Sequence, residues 1–295
     1  MVDGRSASSL RIADITIGVS YAQPSLWREL PDPVSRFAVG DDAVADVTLS
    51  IEAWNDAIPQ RGRMLFDSGS VWRMFEAEGD YRIDCHAEMF GEEPYKLALF
   101  DRAFTRGRIL IRTEAMSSAM HPLDYPLDEV LIANLLARGR GVELHGCGLI
   151  DSDGRGHLFV GQSGAGKTTT ARIWEQHAGV GVEIVSDDRV IVRETQGELR
   201  IYGTPWHGEA ELSSPRSAPL AGVYLLQQAS NTEVVTMSAA SATALLFGCT
   251  FPLFWDAEAL TYTLAALDGI AARVPVRALR FTPDASVIDA VRSAA

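Results

Sequence analysis

Apolar and polar residues alternate through Ala45–Trp54 (ADVTLSIEAW), the period-2 signature of a half-buried strand. Val71–Asp101 continues in the same manner, as three strands joined at Gly79-Asp80 and at Gly91–Pro94, and Gly107–Glu114 adds another after a turn at Thr105–Gly107. The first 120 residues therefore predict an antiparallel β meander. The period then changes. Leu127, Val130, Leu131, Asn134 and Leu135 recur at helical spacing, Pro126 suits a first turn, and Gly139 can end the helix.

From Gly141 the pattern is strand (VELHGCGLI), turn (DSDGRG), strand (HLFVG), glycine-rich loop and a helix over Lys167–His177. VEIVSDD and RVIVRET read as strands, and a turn at Gln196–Glu198 leads into LRIYG. LAGVYLLQQ and EVVTM read as a further hairpin pair. Helices over Asp256–Ala272 and Asp284–Ala294 flank a last strand, VRALRF. The expected fold class is mixed α/β, a largely antiparallel sheet with a phosphate loop, in two domains: a β-rich unit of unknown role at 1–120 and a phosphate-loop domain at 121–295.

Composition narrows the function classes. A net charge of −13 argues against general nucleic-acid binding, which needs a basic footprint. No apolar run reaches the roughly 18 residues of a membrane span, and the N-terminal stretch lacks the basic-then-apolar layout of a secretory signal. A cytoplasmic protein without membrane or nucleic-acid partners is expected. Cys85, Cys147 and Cys249 are far apart, which reads as buried thiols and not as a disulfide or zinc framework. Only Lys96 and Lys167 are lysines, so the position of each is informative.

Gly161–Thr168 (GQSGAGKT) fits the G-x-x-x-x-G-K-[ST] phosphate loop, after an apolar strand and before a helix. Each residue type has a reason. The glycines let backbone N–H groups converge on phosphate oxygens, so the amides around Gly161, Ser163, Gly164, Ala165, Gly166 and Thr169 are expected to bind nucleotide. The helix that follows brings its positive end to the same place. Lys167 can reach the β- and γ-phosphates, and the Thr168 hydroxyl can ligate Mg²⁺.

The acidic pair Asp187-Asp188 ends the strand VEIVS, only twenty positions after Lys167. Alternation along a strand sends the two carboxylates apart, so one could hold Mg²⁺ while the other takes the proton of an attacking hydroxyl. Adjacent carboxylates are also expected to raise each other's proton affinity. Which of the two is the base is left open. A plain Asp-Asp turn is the competing reading.

His145–Trp174 and Val185–Val192 together resemble the catalytic domain of HPr kinase/phosphorylase, which carries a histidine ahead of a G-x-S-G-x-G-K-[ST] loop and then a paired-aspartate strand. ATP-dependent phosphoenolpyruvate carboxykinase is similar more distantly. The HPr-kinase-like proteins of peptide-modification gene clusters, lasso-peptide serine kinases among them, are similar over Tyr202–Glu209 (YGTPWHGE) and Pro126–Gly146 as well. The resemblance spans Pro126 to Arg292. It implies an ATP- and Mg²⁺-dependent kinase acting on a serine of a peptide or protein, such as a ribosomally made precursor, with His145 near the γ-phosphate. HPr kinase is a hexamer, so a homo-oligomer is among the expectations. The first 120 residues do not resemble its regulatory domain. No glycine-rich signature follows Glu209, so neither HPr as substrate nor phosphate removal is implied.

Gly203–Pro219 is an irregular stretch with three prolines, of the kind that often carries function. Within it Glu209 could complete the metal shell, and His207 or Arg216 could meet the transferring phosphate. Arg172, Arg189 and Arg193 are lesser candidates for charge stabilisation. Two rival functions remain: a kinase for a small molecule such as free serine or a sugar, and a nucleotide-gated binding module without transfer.

Overall fold

The computed structural model describes residues 7–40, 42–55, 61–117 and 120–294. They pack as two compact units, Met1–Leu135 and Leu136–Ala295, so the division falls after the 127–135 helix and not at the expected position 120.

The first unit is one nine-stranded sheet. Its strands are β1 (Ala7–Ile12), β2 (Ile15–Tyr21), β3 (Ala38–Val39), β4 (Val47–Trp54), β5 (Arg63–Asp67), β6 (Trp72–Ala77), β7 (Asp80–Cys85), β8 (Lys96–Phe100) and β9 (Arg106–Arg112), followed by helix α1 (Leu127–Leu135). The order is β3-β1-β2-β4-β9-β8-β7-β6-β5. The meander is antiparallel from β5 to β9, as its turns require, but β4 lies parallel to both β2 and β9. That corrects the all-antiparallel expectation. Parallel neighbours are joined by long connections, which leave no tight-turn signal in the sequence. Along β4, Val47, Leu49 and Ile51 are buried at alternate positions, as the pattern required.

The second unit holds β10 (Val142–Ile150), β11 (Gly156–Val160), α2 (Lys167–His177), β12 (Glu183–Ser186), β13 (Arg189–Thr195), β14 (Glu198–Tyr202), β15 (Ser217–Gln228), β16 (Glu233–Thr236), α3 (Ala239–Phe247), α4 (Ala257–Arg273), β17 (Val276–Phe281) and α5 (Ser286–Ala294). The sheet is mixed. β10 and β11 form the expected antiparallel hairpin, while β15 runs parallel to both β11 and β17. The pairings β11–β10–β13–β14–β15–β11 close on themselves, so the strand that feeds the glycine loop has a neighbour on each flank.

The expected hairpin of β15 with β16 does not form. β17 pairs with both and lies between them. The crossover that brings β17 in parallel to β15 contains α3 and α4, and α3 gave no clear sequence signal. One core cluster packs Val142, Leu158, Val185, Val223 and Val276 against Leu246 of α3 and Leu267 of α4. Another packs Phe159 and Tyr224 against Trp174 of α2 and Val287 of α5. Among the described residues no helix is long and apolar enough to cross a membrane.

Candidate functional site

β11 is buried along its whole length and ends at Val160, where the chain turns into Gly161–Gly166 and then α2. Gly166 caps α2 in the left-handed region, at φ +107°, and a Cβ there would lie 2.7 Å from the Phe281 ring. A Cβ on Gly161 would lie 2.6 Å from that of Ala165. Both positions demand glycine, one for its backbone angle and its crowding, the other for close approach. Gln228 on β15 donates to the Gly164 carbonyl at 2.9 Å and ties the loop to the adjacent strand. α2 buries Lys167, Thr170, Ala171 and Trp174, one face of a helix, while Thr169 is exposed and Thr168 partly so.

Lys167 is buried, and its ammonium donates to the carbonyls of Gly161 (3.0 Å) and Gln162 (3.2 Å). Burial lowers its pKa, and the nearby Asp188 charge opposes that shift in part. The amine therefore sits inside the loop's own curl, at the positive end of a helix. An anion brought there would relieve both.

The two aspartates part, as alternation required. Asp187 is buried, and its oxygens accept backbone N–H groups from Gly208 (2.9 Å), Ala210 (2.9 Å) and Leu212 (3.3 Å). It acts as the peg on which 208–212 hangs. Asp188 is half-buried; His145 Nε2 lies 2.9 Å from Oδ1, and Arg189 donates to Oδ2 at 2.7 Å. Burial would raise the Asp188 pKa, but the hydrogen bond from His145 and the charges of Arg189 and Lys167 prevail and lower it. The expected increase in proton affinity is thus reversed, because Asp187 is occupied elsewhere and cations surround Asp188.

His145 is set by β10: its N–H donates to the Cys249 carbonyl at 2.7 Å, and Gly146 N–H donates to the Asp188 carbonyl at 2.9 Å. Glu143, two residues earlier on the same face, is buried with an oxygen 3.4 Å from Arg189 Nε. The Arg189 guanidinium also lies 4.2 Å over the Phe251 ring. Arg189 is therefore engaged by Glu143, Asp188 and Phe251 together. The Cys249 thiol is near the same corner; burial raises its pKa, offset in part by Lys167 and a backbone hydrogen bond at Gly161.

The 203–216 stretch is irregular in backbone but firmly held. Thr204 donates to the Arg189 carbonyl (2.7 Å), Ser186 to the Trp206 carbonyl (3.1 Å), and Ser214 N–H to the Val185 carbonyl (3.0 Å). Gly203 permits this, since a Cβ there would lie 2.0 Å from the Ser214 carbonyl oxygen. His207 Nδ1 is 3.0 Å from the Gly208 carbonyl, and Glu209 is exposed. Arg216 is exposed and 3.9 Å from Glu183, Arg172 is exposed on α2, and Arg193 donates to the Arg140 carbonyl at 2.6 Å.

Structure thus brings together Lys167, Asp188, His145 and Arg189, and gives Asp187 to the loop. Sequence reasoning missed Glu143, Cys249 and Phe251. Glu143 was visible as the residue two before His145 on one strand; the other two are contributed by a segment far away in sequence. Among the described residues no three His, Cys, Asp or Glu side chains converge as a metal cage. Thr168 follows Lys167 in the chain, the Asp188 charge acts on the Lys167 ammonium, and Glu209 lies within the segment that Asp187 pegs.

No protein-family model matches the chain, and no curated protein matches it. Among solved structures it is similar to the HPr(Ser) kinase/phosphatase from Coxiella burnetii, at 12% identity and a TM-score of 0.32, over 52% of this chain and 89% of that one.

Proposed function

We propose that the second unit is a Mg-ATP-dependent kinase that transfers the γ-phosphate to a serine hydroxyl of a peptide or protein. The observation that carries this reading is the corner where Lys167, at the start of α2 and inside a glycine loop, meets a carboxylate already oriented by histidine, Asp188 with His145. The loop amides and Lys167 would bind the triphosphate. Mg²⁺ when bound would neutralise charge on the β- and γ-phosphates, with Thr168 and one Asp188 oxygen as its protein ligands.

Asp188 stays ionised at neutral pH and would accept the hydrogen bond, then the proton, of the acceptor hydroxyl. His145 fixes its rotamer. A low pKa is no handicap here, because phosphoryl transfer through a loose transition state asks for positioning and charge more than for basicity. Arg189, committed to Asp188 and Glu143, positions the carboxylate and does not reach for phosphate. Asp187 would shape the acceptor side by holding 208–212.

Mass spectrometry of serine-containing peptides after incubation with Mg-ATP tests the reading. A gain of one phosphate on serine is expected, lost in Asp188→Asn. ATP bound but no peptide modified by the wild-type protein would defeat it.

A further inference from the structure

The meander of the first unit carries a cavity of about 530 Å³, lined among others by Ala77, Glu78, Asp80 and Arg82 of the β6–β7 hairpin, by Leu99 of β8 and by Arg61. That volume suits a small organic ligand. Register makes one wall of it. Ala77 pairs with Asp80 and Arg82 with Leu99, and Asp80 and Arg82 alternate along β7, so these four side chains share a face of the sheet. Glu78 and Gly79, the two residues of the turn, both have positive φ (+55° and +91°), the tight hairpin geometry that presents Glu78 beside Asp80.

The lining charges are not equivalent. Arg82 is buried and gives its Nε and Nη2 to Asp84 (2.5 and 3.0 Å), and Arg61 donates to the same carboxylate at 3.0 Å. Glu76, also on the lining, holds Arg63 at 2.6 Å. Glu78 and Asp80 are exposed, and among the described residues neither has a cation within ion-pair distance. The positive charge of the cavity is thus answered within the protein. Its unanswered charge is two neighbouring carboxylates, next to the half-buried apolar side chains of Ala77 and Leu99.

We infer that this cavity binds an organic cation, an ammonium or guanidinium group on an aliphatic stem. The head pairs with Glu78 and Asp80 while the stem covers Ala77 and Leu99. Three other ligand classes fit less well. An anion meets repulsion at the turn, and a neutral molecule leaves both carboxylates unused. A bare metal ion lacks a cage, because no three His, Cys, Asp or Glu side chains converge among the described residues. The site gives the first unit a ligand of its own and stands whether or not the second unit is a kinase.

The test is calorimetric titration of the full chain with agmatine, whose guanidinium and ammonium groups sit at the two ends of a short aliphatic stem. A capped arginine peptide is run beside it, with butanediol and glutarate as neutral and anionic controls. Agmatine should bind with a Kd of about 0.1–1 mM that weakens with salt, and the Glu78→Gln/Asp80→Asn double variant should lose about tenfold, the scale of two exposed ion pairs. Both substituted positions are exposed, so thermal unfolding of the variant should match the wild type. Amide shifts at Ala77 and Leu99 on adding agmatine would place the stem. Tighter binding of the arginine peptide than of agmatine would make a peptide side chain the source of the cation, and the reverse order a free amine; either result upholds the site. Equal affinity in the double variant, butanediol or glutarate binding as tightly as agmatine, or no heat with either cation overturns it.

Discussion

Lys96 in the first unit and Lys167 in the second are the chain's only lysines, and both are buried. Lys96 donates to Asp124 and to the Pro122 carbonyl (3.1 Å). Burial would lower its pKa, but Cys85, Asp124 and Tyr95 outweigh burial and raise it. Among the described residues Lys167 donates to backbone carbonyls, and its pKa is lowered. The same residue type is thus neutralised locally in one unit and left short of negative charge in the other. A buried cation with a carboxylate partner is a structural element; one held by carbonyl dipoles at a helix start is prepared for an anion from outside.

Substitution at both sites separates these roles. Lys167→Ala should cut phosphate transfer by about 10²- to 10³-fold, the scale for losing one preorganised charge donor, with thermal unfolding little changed. Unaltered turnover in a steady-state assay would remove the contrast. Lys96→Met should do the reverse: about 2–3 kcal/mol less stability in urea unfolding, since Asp124 is left without its cation but keeps some solvent, and no change in nucleotide affinity. Asp187→Asn should cost about 1–3 kcal/mol, because one of three backbone donors would face an amide NH₂ instead of a carboxylate oxygen. Protection of the amides at 208–212 from hydrogen exchange should fall with it.

The smallest effect concerns pH. Asp188 has a folded-state pKa below its unfolded value, so its contribution is complete above the ordinary carboxylate range and disappears as pH falls through the lowered value. Asp188→Asn should therefore flatten the acid limb of stability against pH by less than about 1 kcal/mol after solvent screening. An unchanged limb would mean that the His145–Asp188 contact does not persist in solution.

Local features were legible in the sequence. The glycine loop, α2, the β10–β11 hairpin and the parting of Asp187 from Asp188 all depend on residue type and on periods of 2 and 3.6 over short spans. What was not legible depends on distant segments. β16 follows β15 with a turn-like gap, yet β17 separates them, because a parallel pairing is decided by a crossover and not by adjacent turns. The Asp188 pKa was misjudged because the His145 hydrogen bond and the Lys167 charge that lower it come from other elements, as does the 208–212 segment that takes up Asp187. Glu209 and His207, chosen for their chemistry alone, lie on a segment whose course is set by that peg.

The ring of pairings through β11 and β15 has one more consequence. A ladder anchored on a single side can slip by a residue and turn each side chain to the opposite face; β11, gripped from both sides, would have to break two ladders at once. The glycine loop Gly161–Gly166 thus starts from a strand whose register is pinned on both flanks, a fixed datum for whatever the loop holds.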